Sequence, residues 1–292
     1  MRNTAIGLNY IDTYHRGGLY PLPMPARLGV EAAGVVEAVG DGVTDFAPGD
    51  RVCTFGPGRG AYASARNLPA ADLLRTPVSI DDETAAAALL KGATVECLVE
   101  RCAKVQPGWT VLVHAAAGGV GLLLVQWLAQ IGATVIGTVS TPEKAVLARQ
   151  AGAAHVIDYS HEEVAPRVRE LTGGSGVEVV FDGVGKATWE ASLAATARRG
   201  LIVSFGNASG PVTGVSLASL AVGGSLFVSR PSLFDYYADP EERKAGAARL
   251  FAMIASGAIK INIAQRWPLD ALADAHRALE SRATVGSTIL IP

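Results

Sequence analysis

The sequence predicts an α/β protein, a doubly wound parallel sheet joined to a second, smaller β domain. Three features predict it. Residues 111–140 read V-L-V-H-A-A-A-G-G-V-G-L-L-L-V-Q-W-L-A-Q-I-G-A-T-V-I-G-T-V-S: a β-branched run, a glycine turn, an apolar helix and a second β-branched run. From there strand and helix patterns alternate, the order that builds a parallel sheet covered on both faces. Ahead of it, up to Leu68, short apolar runs broken by Gly and Pro recur as in an all-β unit.

In chain order, residues 4–9 read as a strand that begins almost at Met1, with no earlier strand to pair with. Residues 9–23, N-Y-I-D-T-Y-H-R-G-G-L-Y-P-L-P, are polar and aromatic with Gly and Pro punctuation, an irregular surface segment that is either turn chemistry or a site. Residues 28–43 alternate small apolar residues with glycines, 47–52 form a turn and strand, and 60–68 add another strand. Asp81 or Asp82 caps a helix over 83–101, which Pro107 and Gly108 close off. Beyond the glycine turn come strand 134–139, helix 142–151, strand 155–158, helix 162–171, strand 177–182, helix 187–196 and strands 201–205 and 225–229. A long amphipathic helix covers 241–256, and strand, helix and strand from 259 onward return to the first domain. The domains are expected at 1–88 with 262–292, and at 89–261.

With 292 residues, 49% hydrophobic side chains and 33 glycines, the chain has enough apolar material for a large core and is not disordered as a whole. A formal charge of -2 gives no handle on nucleic acid or an anionic membrane. Between His114 and Glu143 no side chain is acidic or basic, which resembles a membrane span, but its glycines and central turn favour a buried sheet-and-helix core. The start lacks the apolar run of a secretory signal, and Cys53, Cys97 and Cys102 are irregularly spaced, so reduced thiols and a cytoplasmic location are expected.

In the turn, Ala116 takes the first place of G-x-G-x-x-G and Gly118 and Gly121 fill the second and third, with Gly119 and Val120 between them. Such glycines let backbone pass close to a pyrophosphate, and the helix that follows presents unpaired N–H groups to it. A dinucleotide is therefore expected; the alternative is a glycine-rich turn that binds nothing. An NAD site usually has Asp or Glu about 20 residues further on, to hold the ribose 2′-OH. Here the chain reads T-V-S-T-P-E-K, where Ser140 and Thr141 offer hydroxyls and Lys144 a cation, so NADPH is expected over NADH. Glu143 has the wrong sign, on a helix that can turn it away, and Lys144 could instead be a solvated helix residue.

A set of motifs spans nearly the whole chain: N-Y-I-D-T-Y at 9–14, G-L-Y-P at 18–21, E-A-A-G-V-V at 31–36, G-D-R-V at 49–52, H-A-A-A-G-G-V-G at 114–121, V-S-F-G-N-A-S-G at 203–210, S-R-P-S-L at 229–233 and S-R-A-T-V-G at 281–286. In these the chain resembles the zinc-independent NADPH:quinone oxidoreductases, the ζ-crystallin-like group of the medium-chain dehydrogenase/reductase superfamily. The resemblance implies a GroES-like β domain carrying the active site, a Rossmann domain, a cleft between them and a homodimer built through Rossmann-edge strands. Relatives carry a leading segment before N-Y-I-D-T-Y that this sequence lacks, so either a truncated gene model or an open sheet edge is expected.

The resemblance also assigns residues. Asn9, Asp12, Tyr14 and Tyr20 stand beside the nicotinamide, where a tyrosine hydroxyl could orient a quinone oxygen or give it a proton; the alternative for Tyr14 and Tyr20 is packing at the domain interface. Asn9 and Thr94 lie near the nicotinamide half of the cofactor, Gly118 to Gly121 on the pyrophosphate, and Tyr159 and Arg282 on the adenosine side, Arg282 being otherwise a surface charge. Phe205, Gly206 and Asn207 follow the fifth strand, and Phe227, Val228, Ser229 and Arg230 lie near the nicotinamide. No metal is expected: Val30 precedes Glu31 where zinc-binding relatives have the His of G-H-E, and no cysteine cluster exists. His114, just before the turn, is expected to be packed or backbone-bonded; His15 and His276 are weaker candidates still. The implied function is NADPH-dependent two-electron or one-electron reduction of a quinone or other planar acceptor. Reduction of the activated C=C of an enal or enone is the alternative within enzymes. A non-catalytic NADPH-dependent RNA-binding or structural crystallin-type role is the alternative outside them, with nucleic acid disfavoured by the lack of a basic stripe.

Overall fold

The computed structural model describes residues 1–56 and 58–292. Contacts divide it into two units, Met1–Ala93 with Tyr237–Pro292, and Thr94–Tyr236. The chain begins with β1 (Arg2–Leu8), α1 (Tyr10–Arg16), β2 (Glu31–Val35), β3 (Arg51–Phe55), β4 (Leu74–Arg75) and α2 (Asp82–Glu96), which continues as a π-helical turn, Cys97–Cys102. There follow β5 (Thr110–Val113), α3 (Gly119–Ile131), β6 (Thr134–Val139), α4 (Pro142–Gln150), β7 (His155–Asp158), α5 (Val164–Leu171), β8 (Val177–Asp182), α6 (Trp189–Ala195) and β9 (Thr196–Ser204). The remainder is α7 (Leu217–Val222), β10 (Phe227–Ser229), α8 (Leu233–Tyr236), α9 (Pro240–Ala255), β11 (Ile263–Pro268), α10 (Leu272–Glu280) and β12 (Ser287–Ile291). The unit division puts α9 in the first unit, whereas the sequence boundary carried the second domain on to residue 261.

The second unit is a six-stranded sheet in the order β10-β9-β8-β5-β6-β7. All its pairings are parallel. Its strands are apolar on both faces because helices cover both, and Leu112, Ile136, Ile157, Val180 and Ile202 pack with Val168 and Trp189 in its core. The strand order reverses between β5 and β8, the switch point of a doubly wound sheet. Parallel pairing brings the carboxyl ends of all six strands to one edge, where ligands of such sheets bind. Helix α3 starts at Gly118 in extended conformation and stops at Gly132, whose φ of 88° is left-handed.

The first unit is a second six-stranded sheet, β11-β12-β1-β2-β3-β4. Strand β1 is interior, antiparallel to β12 on one side and β2 on the other, so the open edge expected at the start of the chain is not there; β11 and β4 hold the edges. Ile6, Leu8, Ala32, Ala61, Ala275 and Leu290 form its core. Strand β2 is small because it is crowded, and a Cβ at Gly7 opposite it would overlap both the Glu31 carboxylate and the Ala86 carbonyl.

Two further expectations fail. The segment 9–23 is not wholly irregular: it contains α1, with Asp12, Thr13 and His15 buried. The helix is held by Asp12, whose carboxylate accepts the N–H of the N-cap residue Asn9 at 3.0 Å, half of a capping box. Residues 60–68 do not form a strand; the N–H groups of Gly60 and Ala61 turn to the Gly29 carbonyl and that of Tyr62 to Leu28, leaving one isolated bridge, Arg2 with Ala65. Of the two candidate caps of α2, Asp81 acts, accepting the Thr84 N–H at 2.7 Å. Helices α7 and α8 were not foreseen.

Candidate functional site

In the second unit the cofactor residues expected from the turn and strand ends share the carboxyl edge. The turn after β5 is tight: Ala115 takes a left-handed φ of 53°, the Ala116 N–H reaches the Thr138 carbonyl at 3.0 Å, and a Cβ at Gly121 would overlap the Ala115 carbonyl oxygen. Only glycine at 121 lets α3 start this close to β5. The N-cap is Gly118, which has no side chain to cap with, and the first turn holds no acidic residue. Side chains therefore leave the first N–H groups of α3, at Gly119, Val120 and Gly121, to an anion.

One strand away, β6 ends in Ser140 and Thr141 with no carboxylate. Thr141 caps α4, accepting the Lys144 N–H at 3.3 Å, and Lys144 Nζ lies 3.4 Å from Ser140 Oγ. Glu143 is exposed, and hydrogen bonds at the helix start, from its own backbone first and Thr141 second, lower its pKa. Tyr159, just beyond β7, is 46% exposed. Beyond β9 come Phe205, Gly206 and Asn207, and Arg230 ties the ends of β9 and β10 by donating to the carbonyls of Ser204 at 2.9 Å and Gly206 at 3.2 Å. Phe227, Val228 and Ser229 form β10 itself, with Phe227 paired to Leu201. Thr94 sits within α2, half-buried. The arrangement fits a dinucleotide with a 2′-phosphate: a backbone anion cradle, then hydroxyls and one cation.

His114 is fully enclosed between Thr138 Oγ1 and Ser192 Oγ, each at 3.1 Å, and burial lowers its pKa. Ser192 in turn donates to Asp182 at 2.8 Å. His114 is thus packed, on side-chain hydroxyls.

The first unit holds Asn9, Asp12, Tyr14 and Tyr20 together around α1, with Arg282 in a left-handed turn after α10. Tyr14 and Tyr20 meet edge to face at 5.2 Å, and Tyr20 also lies 6.1 Å from the His15 ring. Asn9 is oriented by Glu31: its amide donates to Glu31 Oε2 at 2.8 Å, while the Leu90 N–H donates to Oε1 at 2.6 Å and Lys91 lies 3.5 Å away. Asp12 is fully buried, and desolvation pushes its pKa up to about 7 against the lowering effect of hydrogen bonds from Tyr62 and Asn9. Its Oδ1 has no hydrogen-bond partner among the described residues. Tyr62 Oη lies 2.8 Å from Asp12 Oδ2 and 3.1 Å from His276 Nε2. His15 is buried too, and desolvation, then Arg59, lowers its pKa to about 4.

The sequence reading missed Glu31, Lys91 and Tyr62 as site residues and set His276 aside. A signal existed for Lys91, the one Lys or Arg between Asp82 and Glu100, in a run of Ala and Leu. For Tyr62 and His276 there was none, since their partners lie far off in sequence.

Two family models match: alcohol dehydrogenase GroES-like domain over residues 1–78 and zinc-binding dehydrogenase over residues 119–238. The residues here do not fit a zinc ion: Val30 has no donor atom, Glu31 is engaged by three donors, and among the described residues no group of three or more His, Cys, Asp or Glu is placed to hold a metal. The chain is 54% identical to a quinone oxidoreductase of Pseudomonas aeruginosa, covering 100% of this chain and 90% of that one. It is 46% identical to a 2-haloacrylate reductase of a Burkholderia species, with coverage of 100% and 90%. The crystal structure of Escherichia coli quinone oxidoreductase complexed with NADPH superposes with a TM-score of 0.97 at 50% identity, again over 100% of this chain and 90% of that one. The chain belongs to the ζ-crystallin-like quinone oxidoreductase group of the medium-chain dehydrogenase/reductase superfamily.

Proposed function

We propose that this chain reduces quinones with NADPH. The observation that carries the reading is the end of β6, where Ser140, Thr141 and Lys144 stand in place of a carboxylate, one strand from the α3 N-terminus that no side chain caps. When bound, the cofactor supplies a hydride. The N–H groups of Gly119, Val120 and Gly121 bind its pyrophosphate, Gly118 lets the backbone approach it, and Ser140 and Lys144 bind its 2′-phosphate. Tyr159 covers the adenosine. Thr94, Phe205, Gly206, Asn207, Phe227, Val228, Ser229, Arg230 and Arg282 take the contacts the family resemblance assigns them. In the first unit Asn9 is fixed by Glu31, Tyr14 and Tyr20 offer aromatic faces to a planar acceptor, and Asp12 supplies a carboxyl that changes charge near neutrality.

A second reading, reduction of an activated C=C bond, is favoured by the 46% identity to a 2-haloacrylate reductase. No helix among the described residues is long and apolar enough to cross a membrane, and Cys53, Cys97 and Cys102 are free thiols, which supports a cytoplasmic address. A homodimer is supported by edge strand β10, where Phe227 is 61% and Val228 40% exposed beside Leu217 at 80% and Val222 at 89% in α7.

Purified protein should oxidise NADPH with 1,4-benzoquinone faster than with a 2-alkenal, bind NADPH more tightly than NADH, and sediment as two copies. Turnover with the alkenal alone would replace the quinone by the C=C reading. Tighter binding of NADH would remove the role given to Ser140 and Lys144.

A further inference from the structure

Helices α3 and α4 both start at the carboxyl edge of the second sheet, and their first turns are opposites. Side chains leave the first N–H groups of α3 open. Those of α4 are taken. Pro142, its first residue, has no N–H. The Glu143 N–H is held by the carboxylate of Glu143 itself, and the Lys144 N–H goes to Thr141 Oγ1 at 3.3 Å. The Ala145 N–H already closes the first helical turn on the Thr141 carbonyl at 3.0 Å. The Thr141 hydroxyl proton is in use as well, donated to Glu143. Glu143 therefore does not turn away from Ser140 and Lys144. Its carboxylate folds back over the start of the helix, the place where a helix attracts an anion.

A second carboxylate stands on the next strand. Asp158 is the last residue of β7 and pairs in register with Val139, the residue before Ser140. Neighbouring strands lie about 4.8 Å apart, so this charge falls inside the Debye length of about 8 Å at physiological salt. Ser160 keeps Asp158 an anion: its hydroxyl donates to Oδ1 at 2.6 Å and its N–H at 3.0 Å, and these bonds lower the Asp158 pKa. A phosphate monoester carries about −1.5 to −2 charges at pH 7. It meets the Lys144 ammonium, 3.4 Å from Ser140 Oγ, and against that cation the carboxylates of Glu143 and Asp158.

We propose that Glu143 is a specificity-determining residue: its carboxylate holds the start of α4 in competition with the 2′-phosphate and, with Asp158 behind it, keeps the preference for NADPH small enough that NADH is a second working cofactor. The inference rests on the reading of Ser140 and Lys144 as the 2′-phosphate site. To seat there, the phosphate either displaces the Glu143 carboxylate from the helix start or lies beside it against its charge. NADH carries a neutral 2′-hydroxyl and meets neither penalty. Lys144 keeps NADPH ahead, but by about tenfold rather than by several thousandfold. Glu143 acts on the choice of cofactor and takes no part in the transfer of hydride.

The test is to titrate NADPH, NADH, 2′,5′-ADP and 5′-AMP by calorimetry into the protein without cofactor; the last two differ only in the 2′-phosphate. The parent should bind NADPH about tenfold more tightly than NADH and should also reduce 1,4-benzoquinone with NADH. Glu143→Ala and Glu143→Gln should each tighten NADPH and 2′,5′-ADP by about three- to fivefold and leave NADH and 5′-AMP within about twofold, a gain that shrinks between about 0.1 M and 1 M salt. Asp158→Asn, which keeps an acceptor for Ser160, should act in the same direction by about twofold. No gain in either Glu143 variant, or an equal gain for all four ligands, overturns the proposal. A gain in Glu143→Gln alone also overturns it, because the new amide would then be donating to the phosphate. So does a parent preference for NADPH above about a thousandfold. A loss in Lys144→Ala confined to NADPH and 2′,5′-ADP, alongside inert Glu143 variants, leaves the site reading intact and removes only the role of Glu143. If the parent binds 2′,5′-ADP no more tightly than 5′-AMP and Lys144→Ala weakens both alike, the phosphate is not seated there, and the site reading falls together with the proposal.

Discussion

Two aspartates, one in each unit, are equally buried and oppositely built. Asp182, at the end of β8, is 1% exposed; Oδ1 accepts the N–H groups of Val184 and Gly185 and the Thr188 hydroxyl, and Oδ2 the hydroxyls of Thr188 and Ser192. Asp12 is 0% exposed; one of its oxygens takes two donors and the other takes none among the described residues. A carboxylate saturated with donors organises a loop, here the turn from β8 to α6. One left half-satisfied is held near its titration point and can exchange a proton. Depth is the same in both, so the number of donors is what distinguishes the two carboxylates.

The largest effect expected from this contrast is at Asp182. Replacing it by Ala strands two backbone N–H groups and two hydroxyls, and urea unfolding should show a loss of about 4 kcal/mol. A loss below about 1 kcal/mol would mean water takes over those donors and saturation is not what holds the turn.

At Asp12 the effect should depend on pH. Burial raises its pKa from 3.8 to about 7, so the folded state binds the proton more tightly than the unfolded chain does. The sign follows: its contribution is favourable at low pH, and stability falls as pH rises from about 4 to about 7, by up to about 4 kcal/mol. His15, with its pKa lowered to about 4, acts in the opposite direction, losing stability as pH falls below about 6.5. The two nearly cancel in the parent protein, so the informative quantity is a difference. Asp12→Asn should gain on the parent between pH 4.5 and about 7 in urea unfolding and level off above. A constant gap over that range would mean that folding does not raise the Asp12 pKa.

What could be read from the sequence followed what is local in it. The glycine turn, the ends of β6 and β8 and the β/α alternation depend on neighbours a few residues apart, and they stand where expected. Helix α1 escaped because its seven residues show no repeating apolar face; it exists through Asp12, whose other partner Tyr62 is 50 residues away. His276 looked like one histidine near the end of the chain, and its two partners lie 214 and 260 residues off. The false strand at 60–68 has an apolar alternation, but its backbone N–H groups were already taken by residues 28 and 29. Asp182 and Asp12 look alike in the sequence, since neither donor count can be read from it.

The smallest effect extends the comparison from buried charge to charge in reach of solvent. Lys144 is half-buried beside Ser140 on the carboxyl edge of the second sheet, and the phosphate assigned to it sits in a wet, screened place. Lys144→Ala should therefore weaken NADPH binding by about tenfold, roughly 1.4 kcal/mol, and leave NADH binding within about twofold. Screening adds a second signature: the Debye length shrinks from about 10 Å at 0.1 M salt to about 3 Å at 1 M, so the penalty should shrink with added salt. The Asp12 midpoint, enclosed in protein, should stay where it is over the same range. Equal losses for both cofactors would make Lys144 a support of α4 rather than a phosphate ligand. A salt-independent loss confined to NADPH would mean that Lys144 binds as a directed hydrogen-bond donor to the phosphate, shielded as Asp12 is, and the contrast between the two regions would then lie in donor count alone.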